Sequence, residues 1–118
     1  RVLESNGKKV SEIEKRVLPY ISANETNFLA FNLATEEYHN ELYEELKSIN
    51  GASKDYKPFD NDFFVTTKGE PKNSPWKGTQ NEVSIHTFIR NQIHHQKDNG
   101  KTEYSVLKSS IEKMRGFF

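Results

Sequence analysis

Apolar side chains recur at intervals of three or four residues in four separate stretches of the chain, and this periodicity predicts an all-α fold. The clearest stretch is Thr35–Ile49, where a threonine suited to an N-cap comes first and Asn50-Gly51 supplies a stop signal. The other predicted helices are Ser11–Ile21, Gln80–Gln96 and a last helix that opens at Thr102. We therefore predict a small bundle of about four helices, with residues 1–118 forming a single domain.

The first and last of these helices have recognisable ends. Ser11 and Glu14 have the spacing of a capping box, whereas Pro19 shortens or kinks the same helix. Near the C-terminus, Asp98-Asn99-Gly100 predicts a turn, so the last two helices should form an antiparallel hairpin. The residues of the last helix that we expect to face inward are Val106, Leu107, Ile111, Met114 and Phe118.

Residues 51–79 interrupt the helical pattern. They hold three of the four prolines, three of the six glycines and the only tryptophan, which is typical of a long connection. Phe63–Thr67 is the one strand-like interval within them. The segment is therefore predicted to be a long loop or a short β-hairpin insertion, in which Phe63 and Trp76 are suited to plug the helical core.

The charges are balanced overall but not along the chain. The 17 basic and 17 acidic side chains give no net charge, so no field of the whole chain attracts nucleic acid or a membrane. Residues 1–64, however, hold 8 basic and 12 acidic side chains, whereas residues 65–118 hold 9 and 5. A phosphate-contacting surface is therefore expected in the second half, unless the two halves only complement each other.

Composition and the chain start narrow the class of protein further. The absence of cysteine excludes a disulfide scaffold, a thiolate zinc site and a cysteine nucleophile. No stretch approaches the roughly 20 apolar residues that a membrane-spanning helix needs, so we expect a cytoplasmic protein with no membrane partner. The chain begins at Arg1 instead of Met, which favours a C-terminal fragment of a longer protein.

The chemistry that the second half could carry is concentrated in the third predicted helix. His86, Arg90 and His94 follow one another at spacings of four, which places them on one flank beside the apolar stripe. Arginine presents a permanently charged fork for phosphate oxygens, and histidine takes or gives a proton near neutral pH. We take Arg90 and His94 as candidate catalytic residues, and His86, Lys97 and Lys101 as candidates for substrate binding.

Metal-free RNA cleavage requires this pairing of groups. A base removes the proton of the ribose 2′-hydroxyl, that oxygen attacks the adjacent phosphorus, and an acid protonates the departing 5′-oxygen. The arginine would stabilise the charge on the phosphorane. Because one helix supplies too few such groups, we expect a two-fold homodimer that places two copies face to face, with RNA as substrate and no cofactor.

The segment Arg90-Asn91-Gln92-Ile93-His94-His95 resembles a family signature. It matches the Arg-x-x-x-x-His pattern, commonly with Asn after the Arg, of the HEPN superfamily of helical ribonuclease toxins and defence proteins. The resemblance implies a phosphate-contacting role for Arg90, an orienting hydrogen bond for Asn91 and the acid–base role for His95.

Longer stretches of the chain resemble the C-terminal region of bacterial AAA-type ATPases linked to abortive infection and phage defence. The resemblance rests on residues 35–43, 86–95 and 109–115 and covers roughly residues 10–118. It implies an effector module beside an upstream or partner ATPase. ATP binding is not implied for this chain, because it has no Gly-x-x-x-x-Gly-Lys-Ser/Thr loop.

Helical geometry and the resemblance disagree about the acid–base residue. On a regular helix His95 lies about 140 degrees from Arg90, whereas His94 lies about 40 degrees away, so geometry favours His94 as the partner on the same helix. An irregular helix end or a site that spans a dimer would restore His95. Both assignments stay open on the sequence alone.

Other interpretations of the same residues compete with RNA cleavage. Arg90 could pair with a carboxylate of the acidic half while the histidines are ordinary core or solvent-edge groups. A zinc or nickel site of His86, His94 and His95 lacks a recognised spacing, and Glu82 is its only plausible fourth ligand.

Two further types of catalytic site are disfavoured by the sequence. A serine nucleophile is disfavoured because Ser109-Ser110 has no adjoining base and no nucleophile elbow. A paired-carboxylate site is improbable because no apolar surroundings would raise the pKa of one of its carboxyl groups. The helix Thr35–Ile49 should instead present a solvated face, made of His39, Glu41, Glu44 and Glu45.

A second functional class remains beside the nuclease. The chain could be a non-catalytic helical interaction or dimerisation module that docks onto an ATPase or another protomer. Its apolar anchors would then be Phe63, Trp76, Phe117 and Phe118.

Overall fold

The computed structural model describes residues 15–95 and 101–118, and this part of the chain is all-α, as predicted. Helices α1 (Ala23–Phe31) and α2 (Glu36–Gly51) are followed by a short α3 (Tyr56–Phe59) that continues into a π-helical segment (Asp60–Thr67). Helices α4 (Ile85–His94) and α5 (Tyr104–Arg115) complete the bundle. A single antiparallel bridge, between Ser74 and Val83, is the β-pairing in the described residues.

Helix α2 is the centre of the bundle. It contacts α1, α4 and α5, and its buried face carries Tyr38, Leu42, Tyr43 and Leu46. Thr35 caps it as predicted, because the hydroxyl oxygen accepts a hydrogen bond from the Tyr38 N–H at 3.1 Å. The buried residues that complete the core are Leu18, Phe28, Ala34, Phe59, Phe63, Phe64, Ile89, Leu107, Ile111 and Met114.

The prediction of a helix at Ser11–Ile21 is wrong for the part of this range that the structure describes. Residues 15–21 are not helical, and residues 11–14 lie outside the described part. The backbone N–H groups of Val17 and Leu18 donate to the buried Glu25 carboxylate, at 3.0 and 3.4 Å, instead of to a preceding helical turn. The first described helix is α1, which Ser22 caps by accepting from the Glu25 N–H at 3.2 Å.

The strand-like interpretation of Phe63–Thr67 is also wrong. This interval lies in the π-helical segment, and residues 51–79 contain two helical stretches where a loop or hairpin was predicted. The Thr66 and Thr67 hydroxyls donate to carbonyls five residues earlier, at 2.8 and 2.9 Å, which suits the wide turns of a π-helix. Phe64 packs on Tyr43 of α2 and Phe63 packs on Phe117, at centroid distances of 5.5 and 6.3 Å, so tertiary packing favours a helical backbone over a strand here.

Helix α4 is shorter than the predicted Gln80–Gln96. Ser84 is its N-cap residue, and the chain leaves the helix at His95, where φ is −135°. Helix α5 begins at Tyr104, two residues after the predicted start, and the Thr102 hydroxyl bonds the Gln92 side chain. Phe118 is 40% exposed and does not face inward, whereas the other predicted inward residues of α5 are buried or half-buried.

Candidate functional site

The two ends of helix α4 carry different sets of polar side chains. At the first turn, His86 is fully buried, whereas His94 and His95 at the last turn are exposed. The two sets therefore differ in their access to solvent, and they also have different partners.

A buried chain of hydrogen bonds starts from His86. Its Nδ1 lies 2.6 Å from Ser110 Oγ on α5, and its Nε2 lies 2.7 Å from Glu70 Oε1. Ser110 Oγ also lies 2.8 Å from Nε2 of His39 on α2. The chain therefore connects α2, α5, α4 and the segment that follows the π-helical stretch.

One arrangement of protons satisfies this chain. Glu70 as a carboxylate can only accept, so Nε2–H of His86 donates to it and Nδ1 of His86 accepts the Ser110 hydroxyl proton. Ser110 Oγ is then free to accept from Nε2–H of His39. This assignment leaves the Nδ1 lone pair of His39 without a partner, and that atom is indeed buried without a hydrogen bond. Both rings are neutral in this arrangement.

The pKa values agree with two neutral imidazoles. Burial, together with the neighbouring His86, lowers the pKa of His39 to about 3. Burial also lowers the pKa of His86, although the hydrogen bond to Glu70 acts in the opposite direction. Neither histidine is therefore available as a cation near neutral pH.

A second buried cluster fixes the start of α4. The Asp60 carboxylate accepts from the Ser84 N–H at 3.0 Å, from the Ser84 hydroxyl at 2.6 Å and from the Thr87 hydroxyl at 2.7 Å. Because Thr87 donates to Asp60, its oxygen is left to accept from the Tyr43 hydroxyl, 2.7 Å away. This cluster joins the π-helical segment, α2 and α4, and so fixes the position from which α4 projects.

These contacts correct three expectations. His86 does not share an exposed flank with Arg90 and His94, because its ring is 0% exposed and both of its nitrogens are occupied. His39 is buried and does not belong to a solvated face. Ser110 does have adjoining imidazoles, but it is 1% exposed, so the serine is shielded from any substrate.

At the exposed end of α4, Arg90 is stacked and paired. Its guanidinium carbon lies 3.6 Å from the ring centroid of Tyr56, and its Nε lies 3.6 Å from the Glu44 carboxylate. The Tyr56 hydroxyl donates to the same carboxylate at 3.2 Å. Arg90 is therefore paired with a carboxylate of the acidic half of the chain, as expected if its role is structural.

His94 faces α2 beside Arg90. Its Nε2 lies 3.2 Å from Asn40 Oδ1, one helical turn from Glu44, so Arg90 and His94 form two successive contacts with α2. Burial lowers the pKa of His94, and the Arg90 charge lowers it further. His94 also lines a shallow cleft of about 300 Å³, which it shares with Glu36, Glu37 and Glu41.

Asn91 and His95 line a different cleft. It measures about 430 Å³ and lies between α4 and the turn that contains Pro75, Lys77 and Gly78. Asn91 connects this cleft to the guanidinium, because its Oδ1 accepts a hydrogen bond from Nη1 of Arg90 at 3.2 Å. Arg90 thus contacts Glu44 on α2 and Asn91 on its own helix, whereas His94 lines the cleft on the α2 side and His95 lines the cleft beside Lys77.

The remaining candidate residues are dispersed or lie outside the described part. Lys101 is exposed in the segment before α5, and Lys97 lies outside the described residues. The zinc or nickel site is not formed by its four candidate ligands. His86 is buried, whereas His94 and His95 are exposed, and the Glu82 carboxylate is paired with Lys57. Across residues 15–95 and 101–118, no three His, Cys, Asp or Glu side chains are grouped to hold a metal ion.

The predicted apolar anchors are only partly at the surface. Phe63 is buried in the core, Trp76 and Phe117 are half-buried, and Phe118 is exposed. The most exposed large apolar side chains of the described part are Ile21 and Phe31, at 80% and 76%. None of the helices in that part has the length and apolar character that a membrane span requires.

Comparison of the chain with protein-family models, with curated proteins and with solved structures gives no match.

Proposed function

We propose that this chain is a metal-independent endoribonuclease, the HEPN-like effector of a bacterial toxin or phage-defence system. The observation that carries the proposal is the arrangement around Asn91. This residue lines a solvent-open cleft with His95 and accepts a hydrogen bond from Arg90. A group that can bind phosphate, Arg90, and a group that can transfer a proton, His95, are thereby held at the same end of helix α4.

Local charge favours His95 over His94 as the acid–base residue. The cleft of His94 contains three glutamates, which would repel a phosphodiester. The cleft of His95 contains Lys77, and its described lining includes no carboxylate. An RNA strand that approaches from the His95 side meets positive charge, whereas one that approaches from the α2 side does not.

The proposed reaction needs two copies of the site. His95 of one copy deprotonates the 2′-hydroxyl, and a second imidazole protonates the 5′-oxygen that leaves. Arg90 stabilises the charge on the phosphorane. Of the other three histidines, His39 and His86 are buried and His94 lies in the acidic cleft, so a second copy of this chain in a two-fold dimer is the natural source of the second imidazole. An upstream or partner ATPase module and a cytoplasmic location remain parts of this proposal.

The test is cleavage of a labelled RNA in the presence of EDTA. The wild-type chain should produce ends with a 2′,3′-cyclic phosphate and should leave the matching DNA intact. Arg90→Ala and His95→Ala should each lower the rate at least about 100-fold, the first by loss of charge stabilisation and the second by loss of an acid–base group. His94→Ala is the matched control and should cut at nearly the wild-type rate.

The same variants decide against the proposal if the order is reversed. Loss of cutting in His94→Ala with retention in His95→Ala would move the reaction to the α2 side. If sedimentation shows that the wild-type chain is a dimer and this dimer does not cut RNA, the proposed nuclease activity is rejected.

A non-catalytic interaction module is the second candidate, and one observation favours it. Arg90 already has a carboxylate partner and an aromatic platform within its own chain. A purely structural arginine would behave in this way, and Arg90→Ala would then lower the melting temperature without affecting any RNA.

A further inference from the structure

The cleft beside His95 has walls of two chemical kinds. Phe88 from α4 and Pro75 from the opposite segment supply apolar surface, and Lys77 supplies a cation at the rim. Phe88 is half-buried, whereas Lys77 is exposed. At about 430 Å³, the cleft is large enough for a ring system and the phosphate attached to it.

The turn that carries Lys77 is held in a defined conformation. Lys77 and Gly78 both have positive φ, at 48° and 86°, and the Thr79 N–H closes the turn by donating to Trp76 O at 2.9 Å. The Lys77 ammonium lies 5.1 Å from the centre of the Trp76 ring. The Trp76 ring therefore restrains the lysine side chain, so less side-chain entropy is lost when an anion binds.

The occupant that fits these walls is a nucleotide. A base offers a flat apolar face for Phe88, and its phosphate offers the anion for Lys77. An acidic peptide would satisfy the lysine but would leave the aromatic ring without a flat partner. The lack of a carboxylate in the described lining removes the main electrostatic barrier to a polyanion.

We propose that this cleft is a nucleotide subsite for single-stranded RNA, with one base against Phe88 and its phosphate at Lys77. The subsite orients the strand so that the next ribose lies towards His95 and Arg90. The choice of RNA as ligand rests on the proposed function, whereas binding of a nucleotide rests on the cleft alone. Residues 75–78 are then part of the substrate-binding surface, in addition to the signature on α4.

The test measures binding without cleavage. The probe is a fluorescein-labelled 12-nucleotide 2′-fluoro RNA, which lacks the attacking hydroxyl, and binding is followed by fluorescence anisotropy. Lys77→Gln and Phe88→Leu should each weaken binding at least about 5-fold, as expected for loss of a phosphate contact or a stacked base. Thermal melts of each variant check that the fold persists, and Lys77→Gln is informative even if Phe88→Leu unfolds.

Matched controls repeat the two changes away from the cleft. Lys72→Gln removes the same charge and Phe31→Leu the same ring, and both positions are exposed and outside the described lining of the cleft. Each control should bind within about 2-fold of wild type. The subsite is rejected if Lys72→Gln and Lys77→Gln weaken binding equally, if polyglutamate competes as well as RNA, or if wild type does not bind the probe.

Failure of the subsite and failure of the nuclease give different results. Binding that depends on Lys77 and Phe88, with no cutting of unmodified RNA, would leave the subsite and reject the nuclease. Cutting by wild type, with equal probe affinity in all variants, would leave the nuclease and reject the subsite.

Discussion

The first and last turns of helix α4 use the same residue type in opposite ways. At the first turn, His86 has both ring nitrogens bonded and no contact with solvent. At the last turn, His94 and His95 are exposed, and each lines a cleft. The spacing of His86, Arg90 and His94 is regular, but packing completely encloses only the first of these three side chains.

The comparison separates the polar groups of α4 into buried groups, which have partners inside the bundle, and exposed groups, which a ligand can reach. A buried polar chain is costly unless every member has a partner, so the groups near Ser110 are expected to affect folding strongly. Exposed groups cost little to change, so the groups near His95 are expected to affect ligand binding or catalysis more than folding. Three changes test this division, from the largest expected effect to the smallest.

The first change is Ser110→Ala, which removes the oxygen shared by two buried imidazoles. Nδ1 of His86 and Nε2 of His39 would both be left without a partner, at a cost of about 1–3 kcal/mol for each buried group. We expect the free energy of unfolding to fall by about 2–5 kcal/mol, measured by urea denaturation.

The neighbouring serine provides the control for that change. Ser109 lies on the same helix and is exposed, so Ser109→Ala should change the free energy of unfolding by less than about 0.5 kcal/mol. Equal effects of the two substitutions would show that the buried chain does not stabilise the bundle.

The second change is in pH. Because the pKa of His39 is lowered to about 3 in the folded state, the unfolded chain binds a proton first as the pH falls below about 6.5. The contribution of a neutral His39 is therefore complete above that pH and is lost progressively on acidification. At pH 5 the loss from this residue alone is about 2 kcal/mol relative to pH 8, and the lowered pKa of His86 acts in the same direction.

Urea denaturation across this pH range measures the slope. His39→Gln should flatten it, because the titrating ring is removed. His95→Gln should keep it, because that ring lies at the surface. A stability that stays constant from pH 8 to pH 5 in the wild-type chain would show that His39 is not held neutral by burial.

The sequence predicted the parts of the fold that depend on local signals, and it missed the parts that depend on contacts outside the element concerned. Helix α2 was predicted because its cap and its apolar periodicity are local. Helix α1 was missed because Glu25, at one of its two buried positions, is held by bonds to the backbone of Val17 and Leu18, which lie outside the helix. The π-helical segment was missed because Phe63 and Phe64 pack on rings that are distant in the sequence, those of Phe117 and Tyr43.

The candidate site shows the same limit. The positions of Arg90, Asn91, His94 and His95 near the end of one helix follow from their spacing, and the two histidines are exposed there. The buried partners of His86, by contrast, come from residues 16 and 24 positions away, and no local signal identifies them. Tyr56 under Arg90 was missed for the same reason, since it lies 34 residues earlier in the chain.

The third change tests whether Tyr56 positions Arg90. Tyr56→Phe keeps the ring below the guanidinium and removes only the hydroxyl, whereas Tyr56→Leu removes the platform. We expect Tyr56→Leu to lower the free energy of unfolding by about 1 kcal/mol, and Tyr56→Phe to lower it by less.

A direct readout of this geometry is the proton chemical shift of the Arg90 Nε–H, measured by NMR. The ring of Tyr56 lies against the guanidinium, so its ring current should displace that resonance in the wild type and in Tyr56→Phe, but not in Tyr56→Leu. RNA cleavage should fall with the loss of the displaced shift, because the guanidinium is then free to move away from Asn91. If Tyr56→Leu cuts RNA as fast as wild type, Tyr56 only packs beside Arg90, and the exposed end of α4 does not depend on an aromatic platform for its geometry.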